Sequence, residues 1–82
     1  MKLQAFAVRD SKAEAFFPPF FQGTVGQGER TFVDLCRDGN VELSKHPGDY
    51  QLYLVGGFDS ETGALSAVIP MVILSGEEVG NG

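Results

Sequence analysis

The sequence predicts an α+β domain, in which a small antiparallel sheet of three or more strands carries one main helix on one face. Two segments alternate apolar residues with a period of two, and a turn signal follows the second of them. A third segment, between these two, repeats apolar residues at helical spacing. Because one helix can cover only one face of an apolar sheet, we also expect a homodimer or larger closed assembly.

Residues 44–68 carry the strongest signal, that of a β-hairpin. The segment from Tyr50 to Val55 alternates as a strand does, with apolar residues on both faces. It is followed by Asp59-Ser60-Glu61-Thr62-Gly63, in which Asp59 can bond its own backbone and Gly63 can take a positive φ. We therefore expect a tight loop and a returning strand.

The first half of the chain supplies another strand and the helix. Residues 2–9 alternate and predict an opening strand that lies beside the hairpin. Phe32, Leu35 and Cys36 form an apolar stripe, and Gly39 follows it as a stop signal. The main helix is predicted at residues 29–38, preceded by a glycine-rich connector at residues 22–28.

Four phenylalanines surround Pro18 and Pro19, and this stretch is predicted to be an irregular loop. Such rings could stack on unpaired nucleic acid bases. In a domain this small, rings are more often used for core or subunit packing. We therefore assign contact between subunits to Phe16, Phe17, Phe20 and Phe21.

Residues 68–74 are apolar almost without interruption and contain Pro70. This pattern is typical of an edge strand or of an arm exchanged with a partner. The last residues, SGEEVGNG, carry little apolar content. The sequence thus predicts a single domain over residues 1–74 and a disordered acidic tail over residues 75–82.

Composition excludes several classes of protein. A lone cysteine rules out a disulfide within the chain, and one Cys with one His falls short of a structural zinc site. We expect no metal and no cofactor. No apolar run approaches the roughly 20 residues that span a bilayer, so we expect no membrane association. No convergent set of titrating groups suggests catalysis, and an enzyme is not expected.

Charge is distributed unevenly along the chain, which has a net charge of −5. Residues 46–82 contain five carboxylates and no Lys or Arg. All six cations therefore lie in the first 45 residues, and any polyanion would have to meet that half. The cations are Lys2, Arg9, Lys12, Arg30, Arg37 and Lys45.

Residues 1–65 resemble a known family. The sharpest matches are Asp10-Ser11-Lys12-Ala13, Ser44-Lys45-His46-Pro47 followed by Asp49-Tyr50, and Gly57-Phe58-Asp59. In these motifs the chain is similar to the small nonstructural DNA-binding protein of gokushoviruses, which are single-stranded DNA bacteriophages of the microvirus group. The resemblance implies a protein that acts in the cytoplasm of an infected bacterium, in the production or packaging of single-stranded genomes.

Two functions follow as expectations. In the first, the chain binds single-stranded DNA without catalysis, with the six cations on phosphates and Tyr53 or a loop phenylalanine on bases. In the second, it is an acidic interaction protein that acts on a phage or host replication protein or on a capsid partner. The cations would then only pair with neighbouring carboxylates.

Overall fold

The structure is a computed structural model that describes residues 1–80. One antiparallel sheet carries a helical layer on one of its faces, which confirms the predicted α+β class. The strands are β1 (Lys2–Asp10), β2 (Ala15–Phe16), β3 (Phe20–Gln22), β4 (Tyr50–Asp59) and β5 (Leu65–Ser75). The helices are α1 (Val25–Arg37), α2 (Glu42–Lys45) and α3 (Gly76–Gly80), with a 3-10 turn at Pro47–Asp49. No helix in the described chain is long and apolar enough to cross a membrane.

The two long strands β1 and β4 form the centre of the sheet. β5 pairs with the outer edge of β4, while the short strands β2 and β3 share the outer edge of β1. Val55 is an extra residue in β4, because Phe6 pairs with Leu54 while Ala5 pairs with Gly56. This bulge changes which β4 residues face each side of the sheet.

The predicted hairpin between β4 and β5 is confirmed. The Asp59 carboxylate accepts a hydrogen bond from the backbone N–H of Glu61 at 2.9 Å. The N–H of Gly63 donates to the Asp59 carbonyl at 2.7 Å, and Gly63 has a φ of 78°. The local chemistry of this loop therefore fixes the turn as the sequence indicates.

The core lies between the sheet and α1. Phe6, Leu52 and Phe32 are fully buried there, the first two from the sheet and the third from α1. Half-buried Leu54 and Val33 pack around them. Phe32 and Cys36 of the predicted apolar stripe thus pack on one face of the sheet, with Val33 and not Leu35 beside them.

The helix boundary was predicted wrongly, since α1 begins at Val25 and not at residue 29. Thr24 caps the helix, because its hydroxyl accepts the N–H of Gln27 at 3.1 Å. The side-chain oxygen of Gln27 in turn accepts the N–H of Gly23 at 3.0 Å. Gly28 lies inside the helix, where a Cβ would clash with the Phe6 ring. Close packing on the sheet therefore outweighs the low helix propensity of glycine.

The two ends of the aromatic stretch are strands and not an irregular loop. β2 and β3 pair with β1 in antiparallel register, with Phe16 opposite Arg9 and Phe21 opposite Ala5. Pro18 and Pro19 lie between the two short strands, where no ladder hydrogen bond is required of them.

The prediction of a disordered tail from residue 75 is wrong for the part that the structure describes. Ser75 ends β5, and residues 76–80 form the short helix α3. Val79 belongs to the buried core with Phe32 and Tyr50. Gly76 is also buried, against the backbone of Pro47, so both residues hold this segment on the domain. The last two residues of the predicted tail lie outside the described part of the chain.

Candidate functional site

The face of the sheet opposite α1, here called the open face, is not covered by any helix of residues 1–80. Strand pairing and the alternation of side chains define its members. They are Leu3, Ala5, Ala7 and Arg9 of β1, Phe16 of β2, Phe21 of β3, Gln51, Tyr53, Gly56 and Phe58 of β4, and Leu65, Ala67, Val72 and Ser75 of β5.

Two aromatic pairs lie on the open face. The rings of Phe16 and Tyr53 meet edge to face, with their centroids 5.1 Å apart. The rings of Phe21 and Phe58 are tilted, with their centroids 5.7 Å apart. In each pair one ring comes from an edge strand and the other from β4, on either side of β1. The pairs therefore cross the central strand at two levels along its length.

The small residues of β1 fit between these pairs. Ala5 and Ala7 are buried although α1 lies on the other side of the sheet. Across the strands, Ala5 lies between Phe21 and Gly56, and Ala7 lies opposite Tyr53. A larger side chain at either position would crowd these neighbours, so the two alanines leave room for the aromatic pairs.

A shallow apolar depression lies beside the Phe21 ring. Its volume is about 280 Å³, and its lining includes Ala5, Pro19, Phe21, Gly56 and Leu65. This volume is close to the lower end of the range of small-molecule sites, about 300 to 1,000 Å³. The depression could hold one flat apolar group against the ring.

The open face carries no carboxylate among the described residues. The acidic strand residues Asp10 and Asp59 point to the other side, since they pair with Tyr50 and Lys2 away from the open face. The remaining carboxylates lie on the helices, in the turns and in the hairpin loop. Arg9 is the charged residue of the open face, and its register places it next to Phe16. A chain of net charge −5 thus presents one surface that does not repel an anion at short range.

The six predicted cations do not gather on one face. Arg9 lies on the open face, and Lys12 lies in the turn that joins β1 to β2. Lys2 is at the opposite end of β1 and points to the helix side. The three others are exposed on the helical layer: Arg30 and Arg37 on α1 and Lys45 on α2.

Few of these cations are tied to carboxylates. Within residues 1–80, Lys45 alone of the six lies within 4 Å of a carboxylate, at 3.6 Å from Glu42. Both partners of that pair are exposed, and such pairs contribute little to stability. Arg9 and Lys12 make no ion pair with any described carboxylate, so they can meet a phosphate without first breaking one.

The four predicted contact phenylalanines lie in three different environments. Phe16 and Phe21 are on the open face, each against a ring of β4. Phe20 points to the core and stacks on Phe6 with a centroid distance of 5.6 Å. Phe17 stacks on Tyr50, on the helix side, at 6.2 Å. They do not form one contact surface, and sequence reasoning treated them as alike.

Sequence reasoning also missed Phe58, which completes the second aromatic pair. Phe58 follows the bulge at Val55, and unbroken alternation through Val55 would instead place Phe58 with Leu54 on the helix side. Gly56 and Gly57 were the available signal, because glycine inside a strand often marks a bulge. The period of two from Tyr50 had assigned only Tyr53 to this role.

Cys36 and Tyr50 in the core have raised pKa values, whereas a reactive nucleophile has a lowered one. Burial raises the pKa of the Cys36 thiol, and the charge of Arg37 only partly opposes this. The thiol is therefore protonated at neutral pH and a poor nucleophile. Burial also raises the pKa of Tyr50, and the nearby carboxylates of Asp10, Glu42 and Asp49 add to that effect. Three carboxylates thus lie near Tyr50 on the helix side of the sheet.

Comparison with known proteins gives one family. A family model described as Phage ORF5 protein matches residues 3–79, which include nearly all of the sheet and the whole of α1. No curated protein matches the chain. No solved structure matches it either. The chain belongs to the Phage ORF5 protein family.

Proposed function

We propose that this phage protein is a non-catalytic nonstructural protein that binds single-stranded DNA on its open face. Its membership of a phage family and its resemblance to gokushovirus DNA-binding proteins support a role in genome synthesis or packaging inside the infected bacterium. The observation that carries the proposal is the composition of the open face. It combines four aromatic rings with Arg9 and with no carboxylate among the described residues.

The aromatic rings supply the base contacts. Unpaired bases stack on aromatic side chains with a gain of about 1 to 3 kcal/mol per base, and stacking tolerates any base because each has a π-face. Phe16 and Tyr53 form one platform, and Phe21 and Phe58 form the second. The depression beside Phe21 can receive a base edge. The proposal therefore implies little sequence preference and low affinity for stacked duplex DNA.

Phosphate contacts are few on this surface. Arg9 lies beside the Phe16 platform, and Lys12 is three residues further along the chain in the adjoining turn. Each phosphate contact on a single strand changes log K by about −0.7 per unit of log salt. Two contacts per subunit give a slope of about −1.4, and the net charge of −5 opposes approach over longer distances. Binding is thus weak per subunit and falls as salt rises.

The alternative is an acidic interaction protein that contacts a replication or capsid partner without touching DNA. Its contact surface would be the helical layer, which carries Glu29 and Asp34 on α1 and Asp38 directly after it. Substitutions on the open face would then leave its interactions unchanged. The two functions therefore differ in the face of the sheet on which they depend.

Phe16 and Phe17 provide a matched test. They are adjacent, are 45% and 50% exposed, and each contacts one aromatic partner, but they face opposite sides of the sheet. We would measure binding of a fluorescently labelled oligothymidylate by anisotropy at about 50 mM salt. Phe16→Leu should lower the affinity about 5- to 150-fold, the equivalent of one stacked base, and Phe17→Leu should leave it near the wild-type value.

Circular dichroism and thermal unfolding of both variants control for loss of structure. Equal losses of affinity in the two variants would mean that the open face is not the binding surface. A folded wild-type chain that binds no single strand at this low salt would refute DNA binding and leave the alternative.

A further inference from the structure

We propose that a second copy of this chain packs against the outer edge of β5, through Val68, Ile69, Met71 and Val72. This inference concerns assembly and does not rest on DNA binding. It assigns to one strand the subunit contact that the sequence left open between the phenylalanine stretch and the apolar segment after the hairpin.

The first argument is the exposure of apolar side chains along this strand. Residues 65–72 are exposed throughout, and Ile69 is 90% exposed. Val68, Ile69 and Pro70 have no partner residue in β4, because the register shifts there. The segment is therefore an irregular stretch of β5 outside the regular pairing with β4. A neighbouring chain would remove these side chains from water, with a gain of about 25 cal/mol for each Å² buried.

The phenylalanines do not compete for this role. Each of Phe16, Phe17, Phe20 and Phe21 already contacts another aromatic ring of the same chain. By contrast, Val68 and Ile69 belong neither to the core cluster nor to the apolar residues packed around it. Within the described chain, the apolar side chains of the β5 edge are therefore the ones that lack such packing contacts.

Charge indicates that the partner is another copy. No charged residue occurs from Ala64 to Gly76, although the chain as a whole has a net charge of −5. Two copies that met through charged surfaces would repel each other, while two β5 edges meet without like charges in the contact. Edge strands that avoid partners usually carry lysine or another charge, and this edge carries none.

Symmetry and area are compatible with this contact. An edge that meets its own copy in antiparallel orientation forms a closed two-fold dimer. The 11 residues of β5 would extend roughly 36 Å as a regular strand, which offers a long edge for the contact of about 1,000 Å² or more that a specific interface needs. Pro70 has no N–H and the strand is bulged, so side-chain packing around Ile69 contributes more than a continuous hydrogen-bond ladder.

Sedimentation velocity at micromolar concentration tests the proposal. The wild-type chain should sediment as a dimer, at twice the chain mass of 8.8 kDa. Ile69→Asp places a charge in the contact and should raise the dissociation constant at least about 100-fold. Ala13→Asp adds the same charge in the exposed turn between β1 and β2 and should remain dimeric.

A wild-type monomer would overturn the proposal and would mean that the β5 edge serves another partner. A folded Ile69→Asp variant with wild-type dimerisation would overturn it as well. If Ile69→Asp does not fold, Ile69→Cys decides, because a two-fold axis near the middle of β5 brings both copies of residue 69 into disulfide range. Disulfide-linked dimers under mild oxidation support the contact, and their absence contradicts it. Ala13→Cys is the matched control, and the native Cys36 is buried.

Discussion

Along β1 the side chains alternate between two faces that bury apolar surface in different ways. On the helix side, Phe6 and Val8 have large side chains that pack under α1 and are almost fully buried. On the open face, Ala5 and Ala7 are also buried, but they are small and lie opposite the aromatic residues Phe21 and Tyr53 of neighbouring strands. The helix side therefore provides the stability of the domain, while the open face keeps large apolar rings at the surface.

This difference separates stability from binding. A ring on the open face loses only part of its exposure on folding, so its removal costs the domain less than removal of a core ring. Exposed rings without nearby carboxylates are available to a ligand that has flat apolar groups and negative charge. We therefore expect substitutions on the two faces to change different measured quantities.

The largest expected effect is on the helix side. Phe32→Ala removes a fully buried ring and should lower the free energy of unfolding by about 3 to 5 kcal/mol. Urea denaturation followed by circular dichroism measures this change. A loss below about 1 kcal/mol would show that α1 does not anchor the core as described.

The next effect concerns binding and the open face. Tyr53→Leu removes one ring of the Phe16 platform and should weaken binding of a single-stranded oligonucleotide by about 1 to 3 kcal/mol. The dependence on salt should not change, because no charge is removed. The free energy of unfolding should fall by less than in Phe32→Ala. Suppose that Tyr53→Leu lowers the free energy of unfolding as much as Phe32→Ala does and leaves the affinity for the oligonucleotide unchanged. The two faces would then have been assigned the wrong roles.

Two glycines of α1 test how closely the helix packs on the sheet. Gly28→Ala should destabilise the domain by about 1 to 3 kcal/mol, because its Cβ meets the Phe6 ring. Gly26→Ala is the matched control in the same helix, where the nearest atom, the Thr24 hydroxyl, is 3.9 Å from the Cβ position. It should stabilise the domain by about 0.5 to 1 kcal/mol. Changes of the same sign in thermal unfolding would contradict the packing at Gly28.

The smallest effect is electrostatic. Arg9→Gln should reduce the slope of log K against log salt by about 0.7, the value for one phosphate contact. Arg30→Gln on α1 removes the same charge from the other layer and should leave the slope unchanged. Anisotropy titrations at several salt concentrations measure both slopes. Equal slopes for the two variants would place the DNA elsewhere or nowhere on the chain.

A structural feature could be predicted from the sequence when the residues that fix it are close together in the chain. The hairpin was predictable, because the bonds from Asp59 and the positive φ of Gly63 are local to the loop. The start of α1 was not, because Gly28 is a poor helix former that is retained for its contact with Phe6, which is distant in the sequence. α3 was missed for a similar reason, since Val79 is buried only through tertiary contacts.

The open face shows the same limit. The sequence indicated Tyr53 through the alternation of its strand, and Arg9 only as one of six cations. It could not distinguish Phe16 from Phe17, because their faces are set by pairing with β1. It also did not place Phe58, because Gly56 and Gly57 suggest a bulge near Val55 but do not say which residue is the extra one. Strand register thus decides which rings lie in the core and which lie on the surface.

The central claim is that single-stranded DNA binds the open face and not the helical layer. Titration of an oligothymidylate into isotope-labelled protein, followed by NMR of the backbone amides, tests this claim most directly. We predict the largest shift changes at Arg9, Phe16, Tyr53 and Phe58, with the exposed residues of α1 nearly unchanged. Changes concentrated on α1, or no changes at a concentration where the protein is folded, would contradict the account.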